Sequence, residues 1–146
     1  MRDVVVLCYH ALSERWPAAL STTPERFRAQ LELLLARGYR PATFAQAVTA
    51  PPAARTFAVT FDDAYRSVLE RARPIMDELG VPGTVFVPTD WPDREEPMRW
   101  PGIDQWLGGP HEDELACMSW DQLRELADDG WEVGSLSCCY DDLSVV

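Results

Sequence analysis

Short apolar segments alternate with amphipathic segments along this chain, and this alternation restricts the folds that it can adopt. Strands are predicted near residues 3–9, 39–42, 56–63, 81–88 and 131–135. Helices are predicted at residues 24–37, 43–48, 65–79 and 119–129, and three of them end at a glycine. Strands that alternate with helices pair in parallel through right-handed crossovers. The sequence therefore predicts the α/β class, as an open layer or a barrel.

The predicted strand at residues 56–63 ends in two aspartates. Because side chains alternate along a strand, Asp62 shares a face with the small residues Ala58 and Thr60, and Asp63 already leaves the strand. Two carboxylates at a strand exit can divide the work of a hydrolase, one holding a cation and the other accepting a proton from water. The alternative is that Asp63 caps the following helix.

Residues 89–118 interrupt the strand and helix rhythm with a long loop insertion. This stretch holds Trp91, Trp100 and Trp106 among prolines, glycines and acidic residues. A loop of this length is usually functional or disordered. The three indoles are candidates for stacking on sugar rings, and the alternative is that they pack the loop onto the body of the protein.

The net charge of −11 opposes binding to nucleic acid or to an anionic membrane surface, whereas neutral sugars remain open as partners. No apolar run reaches the length of a membrane span. All 13 basic residues are arginine, which excludes lysine Schiff-base chemistry and a phosphate-loop lysine. The histidines are His10 and His111.

The length of 146 residues predicts a single domain over residues 1–146. The N-terminal apolar run is too short for a signal peptide, so we expect a cytoplasmic protein whose four cysteines are reduced. Cys138 and Cys139 are adjacent in a spacing that matches no standard zinc site, and a redox or ligand role for them stays open.

Several motifs in this order resemble the polysaccharide deacetylase family, also known as the NodB homology domain or carbohydrate esterase family 4. Residues 7–10, 24–41 and 60–65 are similar to its opening strand, its first helix and its first catalytic motif, and residues 118–123 and 131–135 to the approach to its second motif. The resemblance implies an incomplete (β/α) barrel of the NodB type. It also implies zinc-dependent hydrolysis of an acetyl amide on a carbohydrate, with Asp62 as the general base and Asp63 as a metal ligand.

The second motif departs from the family pattern. The family has two metal-binding histidines where this sequence has Leu136 and Tyr140, and its later motifs, with their general acid, are not represented. One carboxylate and water cannot retain a catalytic zinc. We therefore expect a C-terminally truncated domain that binds no divalent metal and is catalytically impaired. His10 could supply a substitute ligand, a proton donor or a substrate contact at the mouth, or simply be a packed histidine.

Two further functional hypotheses remain open from the sequence. The first is a non-catalytic carbohydrate-binding or interaction module, and the second is a truncated remnant without independent function. About five strands can be counted, whereas a closed barrel of this type has about eight. An open sheet edge therefore predicts self-association.

Overall fold

The computed structural model describes residues 2–138. The strands are β1 (Asp3–Tyr9), β2 (Ala11–Leu12), β3 (Ser21–Thr22), β4 (Arg40–Ala42), β5 (Arg55–Asp62), β6 (Gly83–Pro88) and β7 (Glu132–Ser137). The α-helices are α1 (Pro24–Ala36), α2 (Phe44–Thr49), α3 (Arg73–Leu79) and α4 (Trp120–Asp128). A π-helical segment (Val68–Ala72) precedes α3, and two short 3₁₀ helices (Asp104–Trp106 and Glu112–Leu115) lie in the long loop.

Five parallel strands form the main sheet, in the order β1-β5-β6-β7 with β4 also paired to β5. This confirms the predicted α/β class with a parallel sheet. Because all five strands run in the same direction, their carboxyl ends lie at one edge of the sheet, where ligand sites of such folds gather. The register places Tyr9 beside Phe61 and Asp62 beside Phe86, so the end of β5 lies between β1 and β6.

The two faces of β5 differ as the alternation predicts. Phe57, Val59 and Phe61 are fully buried in the main core, where α1, α3 and α4 also bury their apolar faces. Ala58 lies on the other face and packs with two alanines of β4 and α2 in a separate small cluster. The larger side chains therefore anchor the sheet to the helices, and the small face carries Asp62.

The helix predicted at residues 65–79 is continuous over residues 66–79 but contains a π-helical segment, and Pro74 in the first turn of α3 lacks a backbone N–H. The π-helical segment precedes it, and Gly80 ends α3 in the left-handed conformation. Tyr65 does not join this helix. It forms an isolated antiparallel bridge with Cys117, which ties the turn after β5 to the long loop.

The loop over residues 89–118 packs onto the body through buried apolar side chains, and it carries one buried acidic residue. Glu114 accepts a hydrogen bond from Ser13 Oγ at 2.6 Å and forms an ion pair with Arg71 at 2.7 Å. Its side chain is 2 % exposed. In the described part of the chain, every helix is too short or too polar to cross a membrane.

Candidate active site

A strained turn follows β5. It separates the carboxylate of Asp62, at the end of the strand, from the carboxylate of Asp63, which lies in the turn. Asp62 is the last residue of the strand, whereas Asp63 and Ala64 have φ angles of 74° and 55°. Non-glycine residues adopt the left-handed region at a cost of about 1–2 kcal/mol each. The helical segment that follows has its N-cap at Ser67, so Asp63 lies in the turn and not at a helix cap.

The Asp62 carboxylate faces solvent between two side chains from the first strand region. The distance from Cys8 Sγ to Asp62 Oδ2 is 3.7 Å, in hydrogen-bonding geometry for a thiol donor. His10 Nε2 lies 3.9 Å from the same oxygen, which is beyond a direct hydrogen bond but within reach of one bridging water. The structure therefore places His10 beside Asp62. The sequence suggested only that the two residues lie at the same end of the sheet.

The surroundings of the Cys8 thiol change its ionisation. Burial of the sulfur raises the pKa of Cys8 above its ordinary value, and the negative charge of Asp62 raises it further. A raised pKa keeps the thiol protonated near neutral pH, so Cys8 donates to Asp62 and is a poor nucleophile as it stands. Cys8 itself is exposed on the sheet surface.

Asp63 lies beneath this surface and is 2 % exposed. Its backbone N–H donates to the Phe86 carbonyl of β6 at 3.1 Å. The turn is held from the other side by the long loop, because Met118 N–H donates to the Ala64 carbonyl and Arg66 N–H donates to the Ala116 carbonyl. The neighbouring strand and the loop together fix the strained conformation.

The opposite wall of the site is apolar. Phe86 lies beside Asp62 in the register, and Gly134 of β7 lies beside Phe86. A Cβ at Gly134 would stand 2.9 Å from the Phe86 ring, so only glycine fits under that ring. By alternation Leu136 shares the face of Gly134, and it is half-buried. Cys138 is exposed, and Cys139 and Tyr140 lie outside the described residues.

The three tryptophans of the long loop occupy different environments. Trp91 and Trp100 are 8 % and 9 % exposed and contact each other edge to face at 5.9 Å. Trp106 is partly buried and packs edge to face on Trp16. The first two therefore have packing roles in the loop, and Trp106 keeps more of its ring accessible.

The described residues do not fit the metal that the family resemblance implies. Within residues 2–138, no group of three or more His, Cys, Asp or Glu side chains is arranged to hold a metal ion. Asp63 is buried, and the partner position 136 carries an aliphatic side chain. We therefore derive no chemical step through that metal, and the expected absence of metal stays a prediction.

Two residues of the site were not predicted from the sequence. Cys8 and Phe86 were each assigned only to a strand. The alternation rule gives a partial signal, because Cys8 lies two residues before His10 and so points to the same side of the strand. Phe86 lies beside Asp62 through the pairing of β5 with β6. Recognising it requires the register between β1, β5 and β6, which the sequence does not state.

Comparisons with known proteins agree with this geometry. The chain is similar to the structure of IcaB from Ammonifex degensii, with 25 % identity and a TM-score of 0.74 over 99 % of this chain and 58 % of that one. It is similar in fold to a polysaccharide deacetylase from Bacillus cereus, with 23 % identity and a TM-score of 0.76 over 99 % of this chain and 42 % of that one. The BpsB deacetylase domain from Bordetella bronchiseptica gives 27 % identity and a TM-score of 0.64, over 90 % of this chain and 53 % of that one.

The chain thus spans about half the length of the solved structures that it matches. Its parallel sheet corresponds to about half of a polysaccharide deacetylase barrel. No curated protein matches the chain. The sequence profile of the polysaccharide deacetylase family matches residues 49–146, which is more than half of the chain and includes β5, Asp62 and Asp63. The chain belongs to the polysaccharide deacetylase family.

Proposed function

We propose that this chain is a polysaccharide deacetylase-type protein that acts on an acetyl amide of a carbohydrate, with Asp62 as the general base. The observation that carries the proposal is the turn after β5, which presents Asp62 to solvent and buries Asp63 within the segment matched by the family. A half-exposed carboxylate can accept a proton from an attacking water. The apolar wall beside it excludes part of the solvent from that water.

We further propose that hydrolysis by this chain is impaired. Asp62 can take a proton, but none of the described residues polarises the acetyl carbonyl in the way that a bound cation would. His10 is the group beside Asp62 that we propose holds a proton for the leaving amine, since its imidazole lies 3.9 Å from Asp62. The expected result is slow acetate release at best.

Acetate release from acetylated chitooligosaccharides tests this proposal. Purified wild-type protein is compared with Asp62→Asn, which keeps the shape of the side chain but cannot act as a base. We expect wild-type activity to be low and the variant to abolish what remains. Rapid turnover by wild type would refute the proposed impairment, and equal rates in the two proteins would refute the role of Asp62.

A second candidate function is carbohydrate binding without turnover, and one observation favours it. Phe86 provides an apolar surface beside Asp62 in the register, and the half-buried Leu136 lies on the next strand, β7. A sugar ring presents both apolar and hydroxyl faces, which such a surface can accommodate. Calorimetric binding of the same oligosaccharides without acetate release, reduced in Phe86→Ala and not in Trp106→Ala, would select this function over hydrolysis.

A further inference from the structure

Both edges of the main sheet are open in the described part of the chain. β1 pairs only with β5 and β7 pairs only with β6, so each edge strand presents a free row of backbone N–H and C=O groups. β1 has seven residues and β7 has six, and neither contains a proline or a lysine that would oppose further pairing. Each edge can therefore accept another strand.

The exposed apolar side chains are concentrated at these two edges and on the sheet face between them. Within residues 2–138, five large apolar side chains are exposed, and three of them belong to the edge strands, namely Val4, Val6 and Val133. A fourth, Val48, belongs to α2, which packs on the sheet face that carries Asp62. Only the fifth lies on an outer helix, α1. Burial of the first four by a partner would remove apolar surface from water.

We infer that two copies of this chain associate into one closed parallel barrel, in which β1 of each copy pairs with β7 of the other. The sheet of one copy runs through the four strands β1-β5-β6-β7 and corresponds to about half of a polysaccharide deacetylase barrel. Two such sheets supply eight strands, which is the usual number in a closed β/α barrel. A second copy therefore has the right number of strands to complete the barrel.

The parallel arrangement of the strands makes this closure compatible with twofold symmetry. A twofold rotation about the barrel axis keeps all strands running in the same direction, so β7 of one copy meets β1 of its partner in parallel. The two seams are identical, and a closed barrel has no free edge. Pairing of β1 with β1 of the partner would be antiparallel and would leave both β7 edges open to further growth.

Charge repulsion between two acidic chains is limited at these seams. Asp3 and Glu132 are the acidic residues of the two edge strands, and each is engaged within its own copy. Asp3 accepts a hydrogen bond from the Tyr39 hydroxyl, and Glu132 accepts from Ala45 N–H at 2.9 Å and from the Thr84 hydroxyl at 3.0 Å. Most of the net charge of −11 therefore lies on other surfaces, where salt screens it.

Closure would also change the surroundings of the candidate active site. Because all strands run in the same direction, the carboxyl ends of both sheets lie at one end of the barrel. The end of β7, with Leu136, then faces the end of β1 of the partner subunit, which His10 follows. Two Asp62 carboxylates share one mouth in this arrangement. The inference goes beyond the proposed function and does not rest on it, because it concerns association alone.

Sedimentation velocity of the whole chain over a range of micromolar concentrations tests the inference. We expect a dimer of twice the 16.5 kDa chain mass that dissociates on dilution, without larger species. Val6→Arg on β1 and Val133→Arg on β7 should each weaken the dimer by roughly tenfold or more, because the seam would bury an unpaired charge. The matched control is Leu33→Arg on α1, which adds the same charge at an exposed apolar residue and should leave the dimer unchanged.

Mixing the two edge variants distinguishes the closed dimer from other arrangements. Val6→Arg keeps an intact β7 edge, and Val133→Arg keeps an intact β1 edge. The mixture therefore regains one undamaged seam and should associate more tightly than either variant alone. Pairing of β1 with β1 of the partner would instead leave Val133→Arg as dimeric as wild type.

Three outcomes would overturn the closed dimer. They are a monomeric wild type, a series of open-ended larger species, and a Val133→Arg protein that dimerises like wild type. Hydrogen exchange of wild type needs no variant, because the amides of β1 and β7 should gain protection together as the concentration rises. Protection of β1 without β7 would contradict the inference even if a variant failed to fold. Acetate release enters none of these measurements, so a negative assay would refute the proposed function and leave the dimer unaffected.

Discussion

Cys8 Sγ lies 3.7 Å from Oδ2 of Asp62, so an exposed thiol of β1 donates to the terminal carboxylate of β5. The two residues are 54 positions apart in the sequence. Their proximity couples the ionisation of the thiol to the charge of the proposed base. Burial is the larger cause of the raised pKa of Cys8, and the charge of Asp62 is the second.

Removing the charge of Asp62 should make Cys8 more reactive. In Asp62→Asn the pKa of Cys8 falls toward its ordinary value, so a larger thiolate fraction forms at pH 8 and alkylation by iodoacetamide speeds up. Peptide mass spectrometry separates Cys8 from the other thiols. Asp63→Asn is the matched control, because the Asp63 charge is the weakest of the causes acting on Cys8. Equal acceleration in both variants would contradict the assignment.

Restoring the two family histidines should create a metal site without restoring rapid hydrolysis. The variant combines Leu136→His with Tyr140→His. Two imidazoles and Asp63 give the three ligands that a catalytic zinc requires. Turnover also needs a general acid, worth roughly 100- to 10,000-fold, and residues that bind the metal cannot serve as that acid.

Calorimetry with Zn²⁺ measures the first half of this prediction, and acetate release measures the second. Wild-type protein is the control and should bind no zinc. A histidine variant that also ignores zinc would show that Asp63 or position 136 is misassigned. Brisk turnover would identify an acid already present, with His10 the first residue to replace.

Breaking the buried Glu114 ion pair should loosen the long loop from the body. Glu114→Ala leaves Arg71 and Ser13 without their partner, and the loss of a buried charge pair costs about 3 kcal/mol in the free energy of unfolding. Urea denaturation measures the change. Asp113→Asn is the control, because its pair with Arg15 is exposed and worth about 1 kcal/mol or less. Similar losses in the two variants would contradict the prediction.

Alkaline pH should destabilise the protein partly through Cys117. Burial raises the pKa of this thiol to about 12, against an ordinary value of 9.0. Above pH 9 the unfolded chain releases the proton and the folded chain keeps it, so stability is lost as the pH rises toward 12. The slope is at most about 1.4 kcal/mol per pH unit from this group. Denaturation of Cys117→Ala between pH 8 and 11 should show a shallower slope than wild type.

Self-association through the β1 side of the sheet remains a prediction. Val6 is 41 % exposed on this terminal strand of the described sheet. Light scattering at high concentration should show species larger than a monomer, and Val6→Arg should shift them toward monomer. Leu33→Arg on α1 adds the same charge at a residue that is 49 % exposed, and should leave association unchanged. A monodisperse wild-type monomer would rule out the prediction.

The sequence was sufficient to predict the five strands of the main sheet, the four α-helices and the exit of β5, because these depend on local signals. The two-residue strands β2 and β3 were not predicted, because they are too short to show a periodic pattern. The alternation of Phe57, Val59 and Phe61 defines one face of a strand. Gly80 ends a helix because glycine readily adopts the left-handed conformation. The surroundings of Asp62 depend instead on register between strands that are far apart in the chain. No local periodicity predicts that Cys8 and His10 reach Asp62, or that Phe86 lies beside it.

The long loop was the least predictable part for a related reason. Its two 3₁₀ helices and its bridge to Tyr65 have no repeating apolar pattern. Its fixed points are tertiary contacts such as the buried Glu114. Aromatic content alone could not distinguish tryptophans that pack the loop from tryptophans that bind a ligand, and Trp91 and Trp100 are buried against each other.

The consecutive left-handed residues after β5 bear on the evolutionary history of the chain. Glycine at position 63 would relieve about 1–2 kcal/mol of backbone strain and would remove the carboxylate in the same step. Most single changes to a protein reduce its stability, so this one offers a contrast. Selection for a stable fold alone would favour glycine at position 63. Selection for the function of the carboxylates would instead retain aspartate there. A library at position 63, selected once for cellular abundance and once for ligand retention, would show which of the two pressures acts on this turn.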